Sequence, residues 1–138
     1  MAFSLRAMSE QNVERARRVL EAVAEVDFDT AVALVHPQVE LVPPGAQAPH
    51  RGAARFRRWL EPDAFAEQTI EPLEFVVGNE GRVLSKQYIK ARGAGSGIEL
   101  EIASWSVWTF DEDGLITRIE IFLPHEESKA RAAAGLTD

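Results

Sequence analysis

The alternation of apolar and polar residues is most regular near the end of the chain. Residues 98–110 and 115–123 form two runs rich in β-branched and aromatic side chains, and the turn 111–114 between them ends in glycine. This pattern predicts a β-hairpin. In its second arm, Ile119 and Ile121 fall on one face. Large apolar side chains occur on both faces of the first arm. They indicate a sheet covered by helices on one side and by a ligand or partner on the other.

The rest of the chain divides into helical and extended stretches. Apolar residues spaced three and four apart predict a helix over 9–25, with Ser9 as its N-cap. Further helices are expected over 28–35, 52–60 and 126–134, the first of them ended by Pro37. Strands are expected over 38–42, 69–77 and 82–92, and Pro72 requires the second of them to lie on an edge or to begin near the proline.

The order of these elements predicts the fold class. Helices followed by antiparallel strands are typical of an α+β domain, here with a curved, mostly antiparallel sheet wrapped around the N-terminal helices. Such a sheet leaves a cone-shaped pocket with one open mouth. A chain of 138 residues is long enough for one domain. We assign the whole range 1–138 to it, with its core over about 9–136.

Several motifs give the chain a resemblance to a known family. They are DFD at 27–29, LVHPQVEL at 34–41, HRGAARFRRW at 50–59, SGIELE at 96–101, VWTFDEDGLI at 107–116, and the ending 126–136. With this element order, the chain is similar to the nuclear transport factor 2-like fold and resembles its SnoaL-like group. The resemblance implies a conical pocket. It leaves the chemistry open, because this fold hosts isomerases, cyclases, epoxide hydrolases, dehydratases and proteins without catalysis.

Ketosteroid isomerase, an enzyme of this fold, uses an Asp base together with a Tyr and a protonated Asp. By the resemblance, those positions fall near Val42, Val19 and Ser106. None of the three residue types is present, so isomerisation by that set of residues is not expected.

Two residues are candidate proton carriers. If Val42 faces the pocket, alternation turns Glu40 inward as well, and an apolar surrounding would raise its pKa. The alternative is that Glu40 lies in water or pairs with an arginine, since Glu is seldom buried. His50 lies near the expected mouth and could act as acid or base, or could be a surface-loop histidine.

A mostly apolar lining is expected for the pocket. The predicted ligand-binding residues are Val19, Val42, Phe56, Trp59, Ser104, Ser106, Trp108, Ile119, Ile121 and Leu123. The two serine hydroxyls could orient a polar group of a ligand, although each of these residues could equally be plain core. Gln87 and Tyr88 lie on opposite faces of their strand, and the sequence does not decide which one enters the pocket.

The opposite face of the same strand carries Trp105 and Val107. If exposed, they would invite a partner, and we expect a homodimer through this outer sheet face, as the resemblance implies. The three histidines are dispersed without metal-ligand spacing. We therefore expect no metal and no cofactor.

Charge and composition disfavour two classes of partner, nucleic acid and membrane. The net charge of −7 disfavours nucleic acid, and the arginines at 51–58 are interpreted as the solvent side of a helix. No apolar run approaches the ~20 residues that span a bilayer, so no membrane association is expected. The absence of cysteine and of a visible signal sequence fits a cytoplasmic protein.

These observations lead to one functional hypothesis with an alternative. The chain is expected to bind a small, mostly apolar molecule in its conical pocket. If it is an enzyme, proton-transfer chemistry is expected: isomerisation, cyclisation, dehydration or water addition. The alternative is a non-catalytic module for ligand binding or dimerisation.

Overall fold

The computed structural model describes residues 5–61, 65–93 and 95–136. Its helices are α1 (Leu5–Ala24), α2 (Phe28–Ala33), α3 (Ala53–Leu60) and α4 (Glu127–Ala133). Its strands are β1 (Val35–Val42), β2 (His50–Arg51), β3 (Phe65–Val77), β4 (Val83–Gly93), β5 (Glu99–Phe110) and β6 (Ile116–Phe122). The predicted α+β class is confirmed. None of the described helices is long and apolar enough to cross a membrane.

All the described strands belong to one curved, unclosed sheet, in the order β2-β1-β6-β5-β4-β3. Only β1 and β6 pair in parallel; the other neighbours are antiparallel. The predicted architecture is therefore confirmed. β3 is an edge strand, which tolerates Pro72 beside a register shift between Pro72 and Glu74.

Two predicted boundaries near the N-terminus are wrong. α1 begins at Leu5, so Ser9 lies inside the helix and does not cap it. The residues before Ser9 include leucine, arginine, alanine and methionine, which are strong helix formers. β1 begins at Val35, three residues before its predicted start, and contains Pro37. It tolerates the proline because the pairing with β6 is interrupted between Val35 and Glu40.

α1 and α2 are joined by a tight turn. The N–H of Asp27 donates to the carbonyl oxygen of Ala22 at 2.8 Å, and the N–H of Val26 donates to that of Val23 at 3.1 Å. These two bonds form a Schellman motif, which places Val26 at a φ of 59°. The Asp27 carboxylate then caps α2 by accepting from the N–H of Thr30.

The core has an inner and an outer part. The inner part lies between the concave face of the sheet and helices α1 to α3. The outer part forms where α4 covers Leu84, Trp105 and Val107 on the convex face. Ala130 and Ala134 of the α4 segment complete it without accessible surface.

The expectation that Trp105 and Val107 are exposed is wrong. Their relative exposures are 4% and 0%, because α4 folds back over them. The end of α4 is attached to the β3–β4 turn by the Asn79 N–H, which donates to the Ala134 carbonyl oxygen at 2.8 Å. These two side chains are therefore not free to contact a second copy.

Candidate functional site

A cavity of about 430 Å³ opens between the concave face of the sheet and helices α1 and α3. α1 contributes Val19, Leu20 and Val23, and α3 contributes Phe56, Trp59 and Leu60. The strands supply the rest of the wall, which is again largely aliphatic and aromatic. The residues that sequence patterns did not assign to this wall include Leu41, Gln68, Ile70 and Ile89.

Eight of the ten predicted lining residues meet in this cavity. They are Val19, Phe56, Trp59, Ser104, Ser106, Trp108, Ile119 and Ile121. Their part in ligand binding remains a prediction, while their convergence is a fact of the fold. Period two groups Ser104, Ser106 and Trp108 on one face of β5, and the resemblance to the nuclear transport factor 2-like fold is what identifies that face as the inner one.

Val42 and Leu123 are not in the described lining. The buried residues of β1 are Val35, Val39 and Leu41, and alternation from Leu41 turns Val42 to the other face. Leu123 follows the end of β6 and is 36% exposed. The sequence interpretation was wrong by one residue on β1, where no long alternating run fixes the phase.

The inward placement expected for Glu40 is also wrong. Its carboxylate lies on the face opposite Leu41 and pairs with Arg51 at 2.6 Å and with Arg118 at 3.0 Å. The hydrogen bond from Arg51, with a further contribution from Arg118, lowers the Glu40 pKa instead of raising it. An arginine-paired Glu40 was the alternative that the sequence left open.

His50 is on the edge strand β2, opposite Leu41, and is partly exposed. It is not among the described residues that line the cavity. Glu61, which follows α3, is the one ionisable side chain in that described lining. Across the described residues, no group of three or more His, Asp or Glu side chains could hold a metal ion.

A chain of hydrogen bonds joins Gln87, Ser104, Ser106 and Trp108 of the cavity wall to Ser85 beside them. The Trp108 Nε1–H donates to Ser85 Oγ at 2.9 Å, and the Ser85 hydroxyl donates to Gln87 Oε1 at 2.8 Å. The Gln87 amide nitrogen then donates to Ser104 Oγ and Ser106 Oγ, both at 2.8 Å. All five side chains are buried, and no buried side-chain polar atom of the described residues lacks a partner.

The structure also decides between the two β4 residues that the sequence left open. Gln87 faces the cavity. Tyr88 faces the convex side, where its hydroxyl donates to Glu101 at 2.7 Å, and this hydrogen bond raises the Tyr88 pKa. The signal for Ser85 and Gln87 was present in the antiparallel register, which pairs Ser85 with Ser106 and Gln87 with Ser104.

The curved sheet, the helices packed inside it and the apolar cavity between them define a protein of the nuclear transport factor 2-like class. The sequence profile of the SnoaL-like domain matches residues 16–119. The chain therefore belongs to the SnoaL-like domain family. None of the curated proteins matches it in sequence.

Solved structures of the same fold include enzymes and a ligand complex. One is the epoxide hydrolase/cyclase-like enzyme SalBIII, which has a role in pyran ring formation in the polyether salinomycin. It is 21% identical to this chain, with a TM-score of 0.75, and the match covers 83% of this chain and 91% of that chain. A putative polyketide cyclase from Xanthomonas campestris pv. campestris is 17% identical, with 88% and 96% covered and a TM-score of 0.76.

The Mycobacterium tuberculosis protein RV0760c, solved in complex with estradiol-17β-hemisuccinate, is 13% identical. Here 80% of this chain and 92% of that chain are covered, with a TM-score of 0.71. At these sequence identities, the three similarities establish the shared fold and do not establish a shared chemistry.

Proposed function

We propose that this SnoaL-like chain binds a small, mostly apolar molecule in the cavity between α1, α3 and the concave face of the sheet. The observation that carries the proposal is a cavity of about 430 Å³ whose described lining is largely apolar. Ligand sites of roughly 300–1,000 Å³ with a few placed polar groups are typical of small-molecule binders. RV0760c, which has the same fold, was solved in complex with estradiol-17β-hemisuccinate, and this supports the same use here.

Native mass spectrometry of the purified protein, followed by denaturation and extraction, tests the proposal. We expect a bound apolar molecule, or saturable binding of an added one such as tetralin. Ile121→Phe enlarges a side chain of the cavity wall and should reduce occupancy at least severalfold. Val77→Phe introduces the same aromatic side chain at an exposed position outside the wall and should leave occupancy unchanged. Equal occupancy in both variants would contradict the proposal.

Binding without catalysis is favoured over proton transfer by the positions of Glu40 and His50, the two predicted proton carriers. Glu40 is held by two arginines and His50 is outside the described lining, so geometry gives neither predicted proton carrier a route to a bound molecule. Their catalytic roles remain predictions. If binding is the whole function, Glu40→Gln should leave the affinity for an apolar ligand unchanged in the titration that compares the two proteins.

The homodimer also remains a proposal. Since α4 covers Trp105 and Val107, we propose the uncovered part of the convex face, around Tyr88, Lys90 and Glu101, as the contact. Native mass spectrometry reports the assembly directly, and a monomer mass at micromolar concentration would contradict it. The cytoplasmic location stays a prediction that cell fractionation tests.

A further inference from the structure

The polar chain in the cavity wall has a fixed direction. An indole N–H can only donate, so Trp108 makes Ser85 Oγ an acceptor. The single hydroxyl proton of Ser85 then goes to Gln87 Oε1. This fixes the orientation of the amide, because the reverse one would place an N–H against Ser85 and leave the Ser85 hydroxyl without an acceptor among these side chains.

The direction of this hydrogen-bond chain determines whether the hydroxyl groups of Ser104 and Ser106 can donate to a ligand. Both N–H bonds of the Gln87 amide are used, one to Ser104 Oγ and one to Ser106 Oγ. Each serine accepts one bond and keeps one hydroxyl proton to donate. Within the described residues, neither proton has a protein acceptor. The two oxygens lie within 2.8 Å of the same nitrogen, so they are close enough to reach one ligand atom.

We propose that the Ser104 and Ser106 hydroxyls jointly donate hydrogen bonds to one carbonyl oxygen of the bound molecule. The inference rests on the proposed function and names the ligand class: uncharged, largely apolar compounds that carry a ketone, quinone or ester carbonyl. A carbonyl oxygen carries two lone pairs and no proton, so it can accept both hydrogen bonds. A carboxylate is disfavoured because no Lys, Arg or His is in the described lining to compensate for burial of its charge.

Isothermal titration with tetralin and 1-tetralone tests the inference, because the two bicyclic molecules differ only in the carbonyl group. We expect 1-tetralone to bind about tenfold more tightly, as one or two neutral hydrogen bonds allow. Equal affinities would overturn the carbonyl assignment and leave the apolar-binding proposal intact. If neither molecule binds at its solubility limit, the proposed function fails and the inference fails with it.

Serine variants identify the donors. The Ser104→Ala/Ser106→Ala double variant should lose the preference for 1-tetralone and keep its affinity for tetralin, which also shows that the cavity is still folded. Ser128→Ala removes an exposed hydroxyl outside the cavity and should keep the full preference. If the double variant does not fold, each single variant should lose part of the preference. A preference that persists without both hydroxyls would refute the assignment.

Discussion

Val26 holds a left-handed backbone conformation that a β-branched residue rarely adopts. Its φ of 59° is imposed by the Schellman motif between α1 and α2, and its side chain is 62% exposed. An L-residue pays about 1–2 kcal/mol for this conformation, and glycine avoids that penalty. The greater backbone entropy of glycine in the unfolded chain offsets about 0.5–1 kcal/mol of the gain.

Val26→Gly should therefore raise the free energy of unfolding by about 0.5–1 kcal/mol. The urea midpoint, compared at an unchanged slope, measures it. Glu25→Gly is the matched control, since Glu25 is exposed and has no positive φ. The control should lower stability, and a loss of stability in both variants would show that the left-handed conformation is not strained.

At the scale of elements, Glu40 connects three strands. It lies opposite Arg51 of β2 and Arg118 of β6, and its carboxylate contacts both guanidinium groups. This cluster lies where the parallel pair of β1 and β6 meets the short edge strand β2. The arginines lower the Glu40 pKa, so the ionised form of the carboxylate is more favoured in the folded state than in the unfolded state.

The sign of the pH dependence follows from that direction. A lowered folded-state pKa gives stability that is fully present above the ordinary Glu value of 4.5 and is lost as pH falls through the folded pKa. Glu40→Gln should lower stability at pH 7 by about 1 kcal/mol or less, because the cluster is partly exposed. The difference from the unsubstituted protein should narrow in acid unfolding below the pH of that ordinary value. Glu112→Gln, in the exposed turn, should show no such difference.

The accuracy of the sequence predictions differs between β5 and β1. Period two puts Ser104, Ser106 and Trp108 on one face of β5, and the resemblance to the nuclear transport factor 2-like fold identifies that face as the inner one, since large apolar residues occur on both faces. β1 has a proline and an interrupted ladder, so nothing local fixed its phase, and Glu40 was placed on the wrong face. Ser85 and Gln87 needed the register between β4 and β5, which is a long-range property of the sheet.

At the scale of the whole molecule, the position of α4 was the feature that the sequence did not reveal. Its helical pattern is visible in the sequence, but the surface that it covers belongs to β4 and β5. Contacts between segments that are distant in the chain leave no local pattern. The sequence therefore predicts that Trp105 and Val107 contact another molecule, whereas in the structure they are covered by α4 of the same chain.

The end of α4 packs against the turn after β3. The backbones of Gly78 and Ala134 approach so closely there that only glycine fits at position 78. A Cβ at Gly78 would collide with the carbonyl oxygen of Ala134, the atom that accepts from the Asn79 N–H. Gly78→Ala should push α4 away from the sheet and lower the free energy of unfolding by about 1–3 kcal/mol.

The displacement should also be visible in fluorescence. Trp105 is 4% exposed beneath α4, so wetting of its indole should shift the emission to longer wavelength. Gly45→Ala is the control, because a Cβ there meets no atom within 4 Å and can only add backbone strain at its φ of 75°. It should reduce stability without shifting the emission. An unshifted spectrum for Gly78→Ala would mean that the turn can yield while α4 stays in place, and that the helix is held mainly by its apolar contacts with Leu84, Trp105 and Val107.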